Sequence, residues 1–181
     1  MERSLTLIAL FAALIAALGL IPKFSLPFGV PITAQSLGVM LCGIVLGAKR
    51  GGLAALLFVA LVLMGLPLLA GGRGGLGVLA APSVGFVIGF PVAAFAAGFA
   101  MEHLGRLPVA WAAGVAAGVG GILALYVFGI LGLMVMLQKG PLEATLLVSA
   151  FIPGDLIKAV LAGLITAGLA RARPASVLSR S

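Results

Sequence analysis

Phe151-Ile152-Pro153-Gly154-Asp155-Leu156-Ile157-Lys158 opens a stretch that then continues over 159–170 without a charge. An acid and a base stand inside a segment otherwise apolar enough for a membrane. At the centre of a spanning helix, Asp or Lys costs about 2.5–3.5 kcal/mol to insert, so an ionisable residue at depth marks a functional site by default. Asp155 and Lys158 are spaced to share one helix face. Pro153 suits the first helical position, which puts Asp155 in the first turn, where the macrodipole favours an anion. Lys158 then lies one turn deeper. The plainer alternative is a structural ion pair that only lets the helix insert.

The rest of the chain agrees with a membrane setting. Hydrophobic residues make up 63%, charged residues 8%, and mean hydropathy is +1.35. A soluble domain carries roughly 25% charged residues, so that class is excluded. Charge-free runs at 5–22, 24–48, 51–72, 74–101 and 107–138 are each able to hold a span of about 20 residues. Divided at prolines, glycine clusters and charges, the chain predicts six helices at about 5–21, 34–48, 51–66, 84–101, 108–134 and 153–170. No strict alternation of the barrel kind is present, so the expected fold is an all-α integral membrane protein. It should form one compact bundle with ordered outer loops, a single membrane domain over 1–181. Arg3 and the apolar run after it have the outline of a signal peptide. The run is long for that role, and Gly19-Leu20-Ile21-Pro22-Lys23 lacks a small-x-small cleavage pattern, so it is read as the first helix.

Six spans place both termini on one side. Arg3, Lys49, Arg50, Arg106, Arg171, Arg173 and Arg180 fall on that side, against Lys23, Arg73 and Lys139 opposite, which predicts cytoplasmic termini and puts Asp155 toward the outer face. The net charge of +7 reflects this bias; no basic patch interleaved with aromatics points to nucleic acid. The single cysteine, Cys42, reads as a small packing residue, and the single histidine, His103, as a loop residue, so no metal site is expected.

Two connections on the outer side carry the remaining signal. Pro27-Phe28-Gly29-Val30-Pro31-Ile32-Thr33-Ala34-Gln35 sets two prolines against helix, leaving backbone that survives at membrane depth only where protein or a wet cavity covers it. Thr33 and Gln35 are candidate ligand contacts or caps of the second helix. Leu66-Pro67-Leu68-Leu69-Ala70-Gly71-Gly72-Arg73-Gly74-Gly75-Leu76-Gly77 follows helix 3 and is too glycine-rich for a stable helix. Gly71, Gly72, Gly74 and Gly75 let backbone approach a ligand, Arg73 is placed to neutralise a carboxylate, and Phe86 stands just beyond. The pattern is no Walker A loop, lacking the terminal Gly-Lys-Ser/Thr. With the start of helix 6, these loops predict a lidded pocket for a small polar solute. On helix 1, Ala9, Ala13 and Ala17 form a small-residue ridge that suits close approach of another helix, inside the bundle or on a partner.

At these residues the chain resembles the biotin-binding substrate-specificity subunits, the BioY family, of energy-coupling-factor (ECF) vitamin transporters. The resemblance is carried in order by Val30-Pro31-Ile32-Thr33-Ala34-Gln35-Ser36-Leu37-Gly38-Val39-Met40, Leu46-Gly47-Ala48-Lys49-Arg50-Gly51, Gly65-Leu66-Pro67 with the loop over 70–77, and the segment from Phe151 to Lys158. Ala34 stands where leucine is common in the family, and Arg73 where the family varies. The resemblance implies a six-helix fold in a bacterial inner membrane that binds biotin from outside. It implies Asp155 and Lys158 in the site, the Thr33–Gln35 and Gly71–Gly77 loops enclosing it, and the helix 1 alanines facing a membrane-embedded coupling subunit that works with two ATP-binding-cassette ATPases. It implies no cofactor, biotin being cargo, and leaves room for a homo-oligomer.

The chemistry agrees. Biotin offers two ureido N–H donors, a carbonyl, an apolar thiophane ring and a carboxylate tail, so a carboxylate and cations in an apolar cage are suitable partners. Charge-assisted bonds of about 1.5–3 kcal/mol each, two or three of them with ring burial, suffice for nanomolar binding. The alternatives are a subunit for another vitamin and a small intramembrane transferase. A transferase would need a catalytic cluster, and Glu2, Glu102, Glu143 and Asp155 are widely separated.

Overall fold

The structure, a computed structural model, describes residues 2–180. Its helices are α1 (Glu2–Leu18), α2 (Gln35–Leu46), α3 (Ala48–Leu63), α4 (Val84–His103), α5 (Val109–Gly118), α6 (Leu125–Leu137), α7 (Pro141–Ser149) and α8 (Ile152–Ala172). A π-helical stretch, Val119–Ala124, joins α5 to α6, so that Val109–Leu137 is one continuous 29-residue helix. A two-stranded antiparallel ribbon, β1 (Phe24–Ser25) and β2 (Pro31–Ile32), folds the proline-rich connection into an ordered hairpin. The short helix α7 is not among the six spans expected from sequence. Pro141 occupies its first turn and Glu143 pairs with Lys139 across 3.3 Å.

The protein is apolar on its outside as well as its inside. Leu53, Ile88, Phe99, Trp111, Val127, Leu131, Val160 and Leu164 are all exposed on helix surfaces. That pattern makes it a membrane protein, since such helices face lipid rather than water. Val84–His103, Val109–Leu137 and Ile152–Ala172 have the length and apolarity to cross a bilayer, whereas α1, α2 and α3 run to 17, 12 and 16 residues.

Small residues set the packing. α4 lies at the centre against α2, α3, α5 and α6, and its buried face includes Gly85, Gly89, Ala93, Ala94, Ala97 and Gly98. α2 and α3 form a hairpin turned at Gly47, whose φ of +86° favours glycine. Gly43 of this hairpin faces α4 so closely that an added Cβ would lie 2.0 Å from the Ala94 carbonyl oxygen. Close backbone approach of this kind replaces the hydrophobic drive that lipid does not supply.

At the end where α2 turns into α3, Glu102 Oε1 accepts the Ala48 amide at 2.8 Å and so caps α3. The C-terminal residues fold back onto the same end. Ser179 donates to the Ile44 carbonyl, and Arg180 donates to the carbonyls of Leu104, Gly105 and Leu107 at 3.0 Å each. The up-and-down order of the helices puts the N-termini of α2, α4 and α8 together at the opposite end.

Candidate functional site

Those three N-termini surround a cavity of about 60 Å³. Its walls come from the β1–β2 hairpin (Val30, Pro31, Thr33), α2 (Gln35, Ser36), the glycine-rich loop (Leu69, Arg73), the start of α4 (Ser83, Phe86, Val87, Phe90), α6 (Leu125) and the start of α8 (Phe151, Asp155, Lys158). The positive ends of three helix dipoles thus face one volume, which favours negative charge there.

Asp155 is the buried charge at its centre, 4% exposed, in the first turn of α8. Lys158 Nζ lies 2.8 Å from Asp155 Oδ1 and 2.9 Å from Ser36 Oγ. Ser36 in turn donates to Asp155 Oδ1 at 3.3 Å, and the Tyr126 hydroxyl donates to Asp155 Oδ2 at 2.8 Å. A buried ion pair is tolerable only when its remaining lone pairs and protons find partners, and here a serine and a tyrosine provide them. Around this polar cluster the wall is aromatic, with Phe86 and Phe151 rings 5.4 Å apart and Phe28 edge-on to Phe151 at 6.1 Å.

The other candidates fall into distinct places. Arg73 points to the cavity, donating through Nη1 to Ser83 Oγ at 3.1 Å and through Nε to the Ala70 carbonyl at 3.4 Å, which leaves guanidinium donors free for a further acceptor. Desolvation lowers this guanidinium from its ordinary value without discharging it. Thr33 Oγ1 accepts the Gln35 amide at 3.3 Å from one residue before the N-cap of α2, a position that Ala34 takes instead of Thr33. Gln35, 2% exposed, is committed to backbone: Nε2 donates to the Ile15 and Leu68 carbonyls at 3.2 and 3.0 Å, and Oε1 accepts the Ala70 amide at 3.0 Å.

Gly71, Gly72, Gly74 and Gly75 do not line the cavity. Gly71 and Gly72, with φ of +83° and +69°, make the tight turn that pairs Leu69 with Arg73, and an added Cβ at Gly74 would lie 2.1 Å from the Leu66 carbonyl oxygen. Their work is to fold the loop that delivers Arg73. Ala9, Ala13 and Ala17 lie exposed on α1, while Ala12 and Ile15 are buried against the bundle, so the ridge faces outward.

Sequence reading missed Ser36, Ser83 and Tyr126. A serine at the start of a helix, in the first turn for Ser36 and at the N-cap for Ser83, is too ordinary to carry a signal. Tyr126 did carry one: it is the chain's sole tyrosine, set in an apolar run, and a phenol buried at such depth requires a hydrogen-bond partner.

A helical membrane protein with a buried ion pair and aromatic walls at the meeting of helix N-termini has the form of a solute-binding transport component. Over residues 2–175 the chain matches the BioY family, and it belongs to that family. It is 53% identical to "Biotin transporter BioY" of Rhodobacter capsulatus, covering 99% of this chain and 100% of the relative. It is 50% identical to the protein of the same description from Rhizobium etli, covering 90% of each. In fold it is similar, with a TM-score of 0.87 and 32% identity, to the crystallised S-component for biotin from an ECF-type ABC transporter, with 94% of this chain and 92% of that one aligned.

Proposed function

We propose that this chain is the biotin-binding membrane subunit of an ECF-type uptake transporter, capturing biotin at the outer face for ATP-driven import. The observation that carries the reading is Asp155, a carboxylate 4% exposed and bonded to Lys158, set in an aromatic-walled cavity of a chain from the BioY family. The carboxylate suits a ureido N–H. Lys158 suits the ureido carbonyl or holds Asp155 in place, and Arg73 is the cation for the tail carboxylate. Phe86, Phe90 and Phe151 take the thiophane ring, as apolar pocket walls do.

In this reading α1, α2, α3, α4, the continuous α5–α6 helix and α8 are six spans of one membrane domain, and α7 lies on the outer side. The basic residues then place both termini in the cytoplasm of a bacterial inner membrane. The outward Ala9, Ala13 and Ala17 ridge serves a membrane-embedded coupling subunit, which connects to a pair of ATP-binding-cassette ATPases. The ligand enters this cavity past the glycine-rich loop, which serves in this reading as its mobile wall.

Titrating the detergent-purified chain with labelled biotin, with unlabelled thiamine and riboflavin as competitors, tests this. Saturable binding that only biotin displaces is expected. Displacement by thiamine or riboflavin would move the chain to another vitamin, and absence of biotin binding in folded protein would reject the reading.

A further inference from the structure

A carboxylate offers about four lone-pair positions, two on each oxygen. On Asp155, Oδ1 receives both Lys158 Nζ and Ser36 Oγ, while Oδ2 receives the Tyr126 hydroxyl. One acceptor position remains, on Oδ2. Tyr126 itself is not part of the cavity wall and stands behind Asp155, about nine-tenths buried at 9% exposure. Any effect it has on a ligand therefore passes through that carboxylate.

The backbone that carries Tyr126 is unusual in a way that serves this bond. The helix Val109–Leu137 would be regular but for the π-helical stretch, which ends at Ala124, two residues before Tyr126. A π-turn inserts an extra residue, and each residue turns an α-helix by about 100°, so the insertion re-aims every side chain beyond it. Glycines fit the stretch to its neighbours: an added Cβ at Gly120 would lie 2.3 Å from the Ala93 carbonyl oxygen, and one at Gly121 would lie 2.1 Å from Met40 Cε. The deformed segment is thus held by α4 and α2, and Tyr126 emerges from it facing α8.

We infer that Tyr126 is a positioning residue: it fixes the carboxylate plane of Asp155 and leaves Oδ2 a single acceptor direction toward the cavity. That direction accepts one N–H from a ligand edge that donates and rejects an edge that presents a carbonyl. The inference rests on the proposed biotin site and specifies which Asp155 oxygen meets the ureido group.

The test joins a double-mutant cycle to a spectroscopic one. Biotin dissociation constants are measured for the wild type, Tyr126→Phe, Asp155→Asn and the double variant. Tyr126→Phe is expected to weaken binding about tenfold, the worth of a hydrogen bond to a charged group. In the Asp155→Asn background the same change should cost less than about threefold, because the two residues act as one unit. An equal cost in both backgrounds, or wild-type affinity in folded Tyr126→Phe, overturns the inference. Because Tyr126 is the only tyrosine, a 13Cζ-tyrosine label gives one NMR signal. That signal should shift between wild type and Asp155→Asn, and again in the wild type on adding biotin. If Tyr126→Phe does not fold, or Asp155→Asn binds too weakly to titrate, this signal decides, and its indifference to both changes overturns the inference. If Asp155→Asn binds biotin as the wild type does, the proposed site fails instead, and the comparison without ligand still decides the tyrosine–carboxylate pairing.

Discussion

The Gln35 side chain accepts the Ala70 amide at 3.0 Å, and through that bond the second helix holds the glycine-rich loop. The same carboxamide donates to Leu68 of the loop and to Ile15 of α1, so a single buried side chain ties three pieces of backbone together. Its neighbour Ser36 belongs to the Asp155–Lys158 cluster. The first two residues of α2 therefore connect the charged site, the loop and the helix that bears the alanine ridge.

Gln35→Leu, close in volume, should leave buried backbone groups without partners at roughly 1–3 kcal/mol each. With three such groups, the expected fall in thermal midpoint in detergent is at least about 6 °C, taking about 2–4 °C per kcal/mol for a chain of this size. Gly19→Ala should act in the same direction, since its Cβ would meet Gln35 Nε2 at 2.8 Å and the Leu68 carbonyl oxygen at 2.7 Å. Unchanged midpoints in both variants would show that the carboxamide does not anchor the loop.

Asp155→Asn and Lys158→Ala should each reduce biotin affinity at least about tenfold while the protein still inserts and folds. Removing one partner leaves the other charge desolvated and unpaired, a loss of about 2–5 kcal/mol. Equilibrium binding on monodisperse detergent-purified variants checks this. Wild-type affinity in both would return the pair to a purely structural role.

The charged pair was legible from sequence because an acid and a base in an apolar run have few explanations. Arg73 was legible as the single cation of a glycine-rich loop. What closed the site around them was not. Ser36 and Tyr126 reach Asp155 from 119 and 29 residues away, and no periodicity encodes which helix faces meet. The π-stretch before Tyr126 sits in an unbroken apolar run, where hydropathy cannot distinguish an inserted residue from a regular turn. Gln35 had two sequence readings, cap or ligand contact, and its carboxamide instead bonds to backbone. The helix α7 was hidden because Lys139-Gly140-Pro141 reads as a loop, although a proline in the first turn is equally a helix start.

Ala13→Trp should block assembly with the coupling subunit and ATP-driven uptake, while biotin binding by the isolated chain stays within about twofold of wild type. Ala13 is exposed on α1 and is absent from the cavity wall, so an indole there obstructs close helix approach without reaching the ligand. Co-purification with tagged coupling subunit and ATPases, run beside a biotin titration, separates the two effects. Loss of biotin binding together with assembly would show that the face supports the bundle itself.

The last prediction concerns how the cavity admits its ligand. The glycine-rich loop is fastened at Ala70 by Gln35 and at Gly75, whose amide donates to the Val62 carbonyl at 2.7 Å. Between these points, Gly71 and Gly72 turn the backbone at positive φ, and the segment bearing Arg73 is held by the Leu69–Arg73 pairing and the Arg73–Ser83 bond, so opening the wall means breaking those few contacts. Leu76, just beyond and 71% exposed, is the place for a reporter. A Leu76→Cys variant can be spin-labelled selectively because the native Cys42 is fully buried. The label should be mobile in the ligand-free protein and immobilised on adding biotin, as the loop settles over the bound molecule. Replacing Gly74 and Gly75 with Val should slow association and raise the dissociation rate, since a Cβ at Gly74 meets the Leu66 carbonyl and Gly75 has a φ of +79°. A label equally immobile with and without biotin would mean that the loop is a fixed wall, and that its glycines serve only the close packing of backbone.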